Sequence, residues 1–179
     1  MDLQLETPRL LLRPFELCDA QNLFNMDANP NVHKYLWQKP SLEINESIKI
    51  IAYIHKQYAE NKIGRFATLL KETNEFIGWT GIKFINDHTE NGQTNFYDYG
   101  YRLDEPYWGK GYASEATAAW LDYGFSDMNI QTMNAYTHID NAASNRILSK
   151  FGMQLVEHYM AEDGAQWNWW KLDNAKQHA

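Results

Sequence analysis

The period of the hydrophobic positions changes several times along the chain, and each change marks an element. Leu10, Leu11 and Leu12, set between Arg9 and Arg13 and stopped by Pro14, predict a short first strand. Asp19 stands where an N-cap would open a helix carrying Leu23, Phe24 and Met26, and Asn29-Pro30-Asn31 closes it. After Ser41, the residues Ile44, Ile48, Ile51, Ile54 and Tyr58 recur at three and four positions, which predicts a long helix ending near Asn61. The period then shortens to that of strands. Segments 66–70 and 76–82 flank the polar turn Lys71-Glu72-Thr73-Asn74 and predict a hairpin, and a loop rich in Asn, Asp and Gly over 86–95 leads into the aromatic strand Phe96–Leu103. Ala116, Thr117, Trp120, Leu121 and Gly124 mark a helix from Ala113. A strand over 132–139, a helix over 141–151 and strands over 154–160 and 166–172 complete the order β-α-α-β-β-β-α-β-α-β-β. That order predicts an α+β (mixed α/β) domain around one central sheet.

With 179 residues the chain is near the ~150 of a typical domain, so one core is expected, over residues 3–172, with 173–179 as a polar tail. A hydrophobic share of 44%, with 7 Trp and 11 Tyr, supplies enough burial for that core. The net charge of −7 argues against nucleic acid and anionic membranes as partners. No apolar run approaches the ~18 residues of a membrane span. Cys18 is alone and so makes no internal disulfide, and the start Met1-Asp2-Leu3-Gln4 lacks the features of a secretory signal, so the expected compartment is the cytoplasm. His33, His55, His88, His138, His158 and His178 show no paired ligand spacing, and no metal site is expected.

The candidate chemistry starts at Trp108-Gly109-Lys110-Gly111-Tyr112-Ala113-Ser114, between the aromatic strand and an amphipathic helix. Small residues there allow a tight turn whose N–H groups point at a ligand, and the helix N-terminus adds partial positive charge, a setting suited to phosphate. The segment fits neither G-x-x-x-x-G-K-[ST] nor G-x-G-x-x-G, and a strand-to-helix turn without a ligand is the alternative. On the strand, alternation puts Phe96, Asp98 and Gly100 on one face and Tyr97, Tyr99 and Tyr101 on the other. On the helix after Asn141, the residues Asn141, Ser144, Asn145 and Leu148 share a stripe.

The segments Leu5-Glu6-Thr7-Pro8-Arg9-Leu10-Leu11-Leu12-Arg13-Pro14, Ile77-Gly78, Tyr99-Gly100-Tyr101, Pro106 to Ala116 and Asn141 to Met153 resemble, in order, the GCN5-related N-acetyltransferases. They are most similar to the branch of ribosomal-protein N-terminal acetyltransferases of the RimJ and RimL type. The resemblance implies a single domain with a mixed, mostly antiparallel sheet flanked by helices, and acetyl-coenzyme A (acetyl-CoA) as cosubstrate. Its pyrophosphate would lie on Trp108 to Ser114, with Trp108 in place of the usual Gln or Arg. Its pantetheine arm would lie on the backbone of Tyr101, Arg102 and Leu103, where the strand splays from its neighbour, and on Asn141. A backbone N–H there would stabilise the oxyanion formed when an amine attacks the thioester.

The resemblance further implies Asp98 as base or ammonium anchor and Ser144 as partner of the departing thiolate, because Leu148 occupies the slot where many members carry a Tyr. The alternatives are an Asp98 paired with a nearby Arg or Lys, an Asn141 that only caps its helix, and a solvated Ser144. Tyr35, Trp37, Trp79, Trp167, Trp169 and Trp170 could wall a cleft for a cationic amine, with Trp37, Trp79 and Asp98 as substrate-binding candidates and core packing as the alternative. The implied reaction is direct attack through a tetrahedral intermediate, without an acyl-enzyme, on an amine-bearing substrate such as a protein N-terminus. A small amine (polyamine, amino acid or antibiotic) or a coenzyme-binding sensor without turnover are the rivals, and a homodimer is compatible with any of them.

Overall fold

The computed structural model describes residues 3–36, 39–161 and 164–175. Eight strands form one sheet: β1 (Leu5–Glu6), β2 (Leu10–Arg13), β3 (Arg65–Leu70), β4 (Phe76–Ile85), β5 (Phe96–Leu103), β6 (Thr132–His138), β7 (Gln154–Met160) and β8 (Gln166–Asp173), in the spatial order β1-β2-β3-β4-β5-β6-β8-β7. Four helices, α1 (Ala20–Asp27), α2 (Ile44–Asn61), α3 (Tyr112–Ser126) and α4 (Ala142–Lys150), connect or follow the strands. Every strand pairing is antiparallel except β5 with β6, which is joined by the α3 crossover.

Alternation along the strands sorts the side chains between the helix layers. On one face Tyr99 bonds Thr117 of α3 at 2.9 Å, Trp120 of α3 donates to Thr80 at 2.8 Å, and Tyr101 donates to Ser144 of α4 at 3.0 Å. On the other, Arg102 reaches Asp27 of α1 at 2.8 Å and Lys83 lies over the ring of Tyr53 of α2. Trp120, Phe66, Leu10, Leu12, Ile51 and Ile77 lie in the buried core between these layers.

Three local expectations need correction. Leu5–Glu6 pairs antiparallel with Leu11 and Leu12, giving a strand too short to show any alternation. Asp19 takes the N-cap position of α1 as expected, but its side chain makes no cap bond, because its carboxylate takes Arg13 at 2.8 Å and the Glu16 N–H at 2.8 Å. The boundary expected after residue 172 falls short. Asp173 ends β8, and Asn174 is buried with its amide donating to the carbonyls of Phe125 and Ile130. Trp37 lies outside the described residues.

Candidate active site

β5 and β6 pair only through Tyr97 with Met133 and Asp98 with Asn134, although β5 runs on to Leu103 and β6 to His138. Past Asp98 the two strands part, and a cavity of ≈ 140 Å³ occupies the gap. Its walls include Gly100 and Tyr101 of β5, Tyr136 and His138 of β6, and Asn141 and Ser144 of α4. Strand backbone along such a gap lacks the neighbour that would satisfy it, and an extended ligand can supply the missing partner.

The glycine turn stands between the end of β5 and α3. Gly109 (φ 72°) and Gly111 (φ 83°) both take left-handed backbone, and Gly111 is the N-cap of α3. Space does not demand the glycines: a Cβ at Gly109 would meet nothing, and one at Gly111 would meet only the Arg9 guanidinium at 3.4 Å. Conformation demands them. Among the described residues, the backbone N–H groups from Gly109 to Ser114 find no acceptor, so the turn presents a run of free donors at a helix N-terminus, which fits a pyrophosphate. Trp108 adds no side-chain donor to that run, since its indole N–H goes to the Leu103 carbonyl at 2.7 Å. Leu103 is correspondingly withdrawn: it is buried, its carbonyl is taken, and it does not line the cavity.

A clamp that the sequence reading did not assign holds the turn. Glu115 accepts from the Thr7 hydroxyl at 2.5 Å, the Arg9 N–H at 2.8 Å and the Arg9 Nε at 2.6 Å, while Arg9 Nη1 donates to the Lys110 carbonyl at 3.0 Å. Burial raises the Glu115 carboxyl, but the Thr7 and Arg9 bonds outweigh it and hold the group below its usual range. Thr7, Arg9 and Glu115 were all visible as motif residues; their contact spans more than a hundred positions and has no local signal.

On the α4 stripe, Asn141 caps the helix by accepting the Ser144 N–H at 3.2 Å, which leaves its Nδ2 hydrogens without an acceptor among the described residues. Asn145 is a structural member of the stripe, bonded to Thr137 at 2.5 Å and to the Ile139 carbonyl at 2.9 Å. Ser144 receives the Tyr101 hydroxyl at 3.0 Å, and burial pushes that phenol up to about 12. Tyr101 was expected to contribute backbone only; its side chain in fact brings a phenol to the stripe beside Leu148.

Asp98 points away from the tyrosines, as the alternation predicts, but it is not isolated. It is 2% exposed and forms an ion pair through Oδ2 with Arg65. Arg65 also donates to the Asp98 carbonyl at 2.9 Å and to the Gly81 carbonyl. Burial raises the Asp98 carboxyl above its ordinary value, with Arg65 and Lys83 opposing. Oδ1 has no donor among the described residues. Gly100 explains how Arg65 fits, because a Cβ there would stand 2.7 Å from the guanidinium.

The aromatic wall is thinner than expected. Tyr35, Trp79 and Trp167 line the cavity, whereas Trp169 packs with Ile85 and Phe96 and Trp170 belongs to the main core. Trp79 is already engaged: the guanidinium carbons of Arg65 and Arg102 lie 5.3 and 5.2 Å from its ring centroid, so the protein's own cations occupy the role foreseen for a substrate ammonium. Among the described residues no cluster of His, Cys, Asp or Glu is arranged to hold a metal, and no helix is long and apolar enough to cross a membrane.

A mixed sheet parted between two parallel strands, and a turn of free N–H donors at the start of α3, are arranged as a coenzyme-dependent acyltransferase would need them. Residues 9–154 match the family model of the acetyltransferase (GNAT) domain, and the chain belongs to that family of N-acetyltransferases. It is 35% identical over 150 residues to the uncharacterized N-acetyltransferase p20 of Bacillus licheniformis, covering 84% of this chain and 82% of that one. Among solved structures, the ribosomal-protein-S5-alanine acetyltransferase of Vibrio fischeri shares the fold with a TM-score of 0.76 at 19% identity, over 97% of this chain and 98% of the other. The spermidine N-acetyltransferase of Vibrio cholerae, in complex with CoA and spermine, does so with a TM-score of 0.74 at 19% identity, over 95% and 98%. The fold is thus one that ribosomal-protein and polyamine acetyltransferases share.

Proposed function

We propose that the chain transfers the acetyl group of acetyl-CoA directly to the primary amine of a small molecule. The observation that carries this reading is the parting of β5 from β6 after Asp98, which opens one cavity onto both the α4 stripe and the face bearing Asp98. Acetyl-CoA supplies the activated acetyl group. The free N–H groups of Gly109 to Ser114 suit its pyrophosphate, and the unpaired edge of β5 at Tyr101 and Arg102, with the Asn141 amide, suits its arm. A protein N-terminus offers the same nucleophile, but the small volume of the cavity, ≈ 140 Å³, supports a small acceptor.

In this reading Oδ1 of Asp98 holds the substrate ammonium and takes its proton directly or through water, while Arg65 fixes the carboxylate through Oδ2. The freed amine adds to the thioester carbonyl to form the C–N bond, and the C–S bond breaks as the tetrahedral intermediate collapses. Two protons leave the nitrogen in all; one ends on the sulfur and the other reaches solvent. Ser144 can give the sulfur its proton, because the Tyr101 hydroxyl donates to Ser144 and leaves the Ser144 hydrogen free. Tyr101 followed by Ser144 thereby takes the place of the Tyr that Leu148 displaces.

The test is release of free thiol from acetyl-CoA by the full chain, offered a panel of small primary amines and peptides with free N-termini. Turnover of small amines at the highest kcat/KM is the expected result. Turnover restricted to peptides would reassign the acceptor, and coenzyme binding without turnover of any amine would leave a sensor.

A further inference from the structure

We propose that the acceptor carries a carboxylate, and that Arg102 is the residue that selects it; this rests on the transfer reading above. Arg102 lies four positions after Asp98 on the same face of β5, and both line the cavity. Its Nη1 is held by Asp27 at 2.8 Å, its Nε is shut off without an acceptor, and Nη2 has no acceptor among the described residues, on a side chain that stays 16% exposed. The arrangement is rigid, since the guanidinium rests on Trp79 and Asp27 is 1% exposed. A fixed guanidinium with an open, unfilled Nη2 calls for an anionic oxygen, and a carboxylate offers one.

The charge of the lining agrees. Besides His138, the charged residues around the cavity are Arg65, Arg102 and Asp98, two cations against one anion. An amino acid can place its ammonium at Oδ1 of Asp98 and its carboxylate against a guanidinium. A polyamine cannot do the same: its first ammonium can use Oδ1 of Asp98, but a second meets two guanidinium groups and no further carboxylate, because Asp27 lies outside the lining and is bonded to Arg102. The site therefore fits a zwitterion, with its amine toward Asp98 and its carboxylate toward Arg102. The separation of the two groups along the strand favours a carboxylate several bonds from the nitrogen over one adjacent to it.

The experiment measures kcat/KM of the full chain with acetyl-CoA for straight-chain ω-amino acids from glycine to 6-aminohexanoate, for the carboxamide of each, and for diamines of matching length. Peptides with N-terminal Gly or Asp form a further arm, which tells a free amino acid from an acidic side chain as the source of the carboxylate. The expected result is at least a ~10-fold preference for acid over carboxamide at one chain length, with diamines poorer still. Arg102→Met should collapse the acid-to-carboxamide ratio towards one. Should that variant fail to fold, inhibition of the wild type by propionate or butyrate, competitive against the amine and not against acetyl-CoA, tests the same seat. Carboxamides or diamines turned over as well as the acids would overturn the carboxylate seat while leaving the transferase reading intact. Turnover of no amine at all would remove the transferase reading itself.

Discussion

Asp98 and Arg65 form one buried pair that both limits and orients the carboxylate proposed to act on the amine. Removing the charge by Asp98→Asn should lower kcat by ~10²-fold, within the range of general acid–base contributions, and leave coenzyme affinity in calorimetry unchanged. The pH dependence follows from burial, which holds the Asp98 carboxyl above its ordinary 3.8. The ionised form is the one that holds an ammonium. Activity should therefore be full above the raised value and fall as pH drops through it, giving an acid limb at higher pH than an exposed aspartate would, and one that Asp98→Asn abolishes. On the opposite face, Ser144→Ala should cost ~10-fold in kcat, about 1.4 kcal/mol. If Tyr101 acts through Ser144, Tyr101→Phe should cost a similar factor and the double variant no more than the larger single effect. Additive losses in the double variant would separate the two hydroxyls and end the relay.

At the scale of elements, the glycine turn depends on backbone shape and on the clamp from β2. Gly111→Ala must hold φ 83° with a Cβ, so it should lose roughly 1–2 kcal/mol of stability in urea and weaken coenzyme binding. Gly111→Asn, which tolerates that conformation better, should recover part of both. The Glu115 clamp adds a pH signature. Its carboxyl is lowered in the folded chain, so its contribution is complete above the unfolded value near 4.5 and is lost as pH falls through the folded one; Glu115→Gln should flatten that part of the acid denaturation profile. These elements differ in how far the sequence discloses them. The glycine turn, the alternation that sets Asp98 opposite the tyrosines, and the bounds of β5 and β7 are local patterns and were legible. Arg102 was within reach of the same alternation, since it shares the parity of Asp98. Arg65 was not: it meets Asp98 because β4 lies between β3 and β5, and because Gly81 and Gly100 stand opposite each other to admit its side chain. The two-residue β1, the buried Asn174 and the Arg9 clamp on Glu115 are likewise products of tertiary register, and no window of neighbouring residues carries them.

The whole molecule has an electrostatic balance that its cavity does not share: the chain carries −7, yet the cavity is lined by two guanidinium groups and one carboxylate. Overall charge therefore sets what the surface repels and says little about the substrate. Mechanically, the sheet consists of β1 to β5 and of β6 to β8, joined across the parting by two residue pairs and by the α3 crossover. A coenzyme arm lying in the gap would supply the strand that β5 and β6 do not give each other, and would tie the two parts together. At a coenzyme concentration ~100 times its dissociation constant, binding to the native state alone adds ~2.7 kcal/mol. For a domain of this size each kcal/mol raises Tm by roughly 2–4 °C, so a rise of roughly 5–11 °C is expected in a thermal melt. Mass action alone would give that shift wherever the ligand sat, so its location must be read separately. Hydrogen exchange with and without CoA should show new protection at amides 99–103 and 135–138, on both sides of the parting, as well as at 109–114 in the turn. Protection at the turn with none at the parting would place the arm outside the sheet, and the cavity would then lose its claim to the acetyl group.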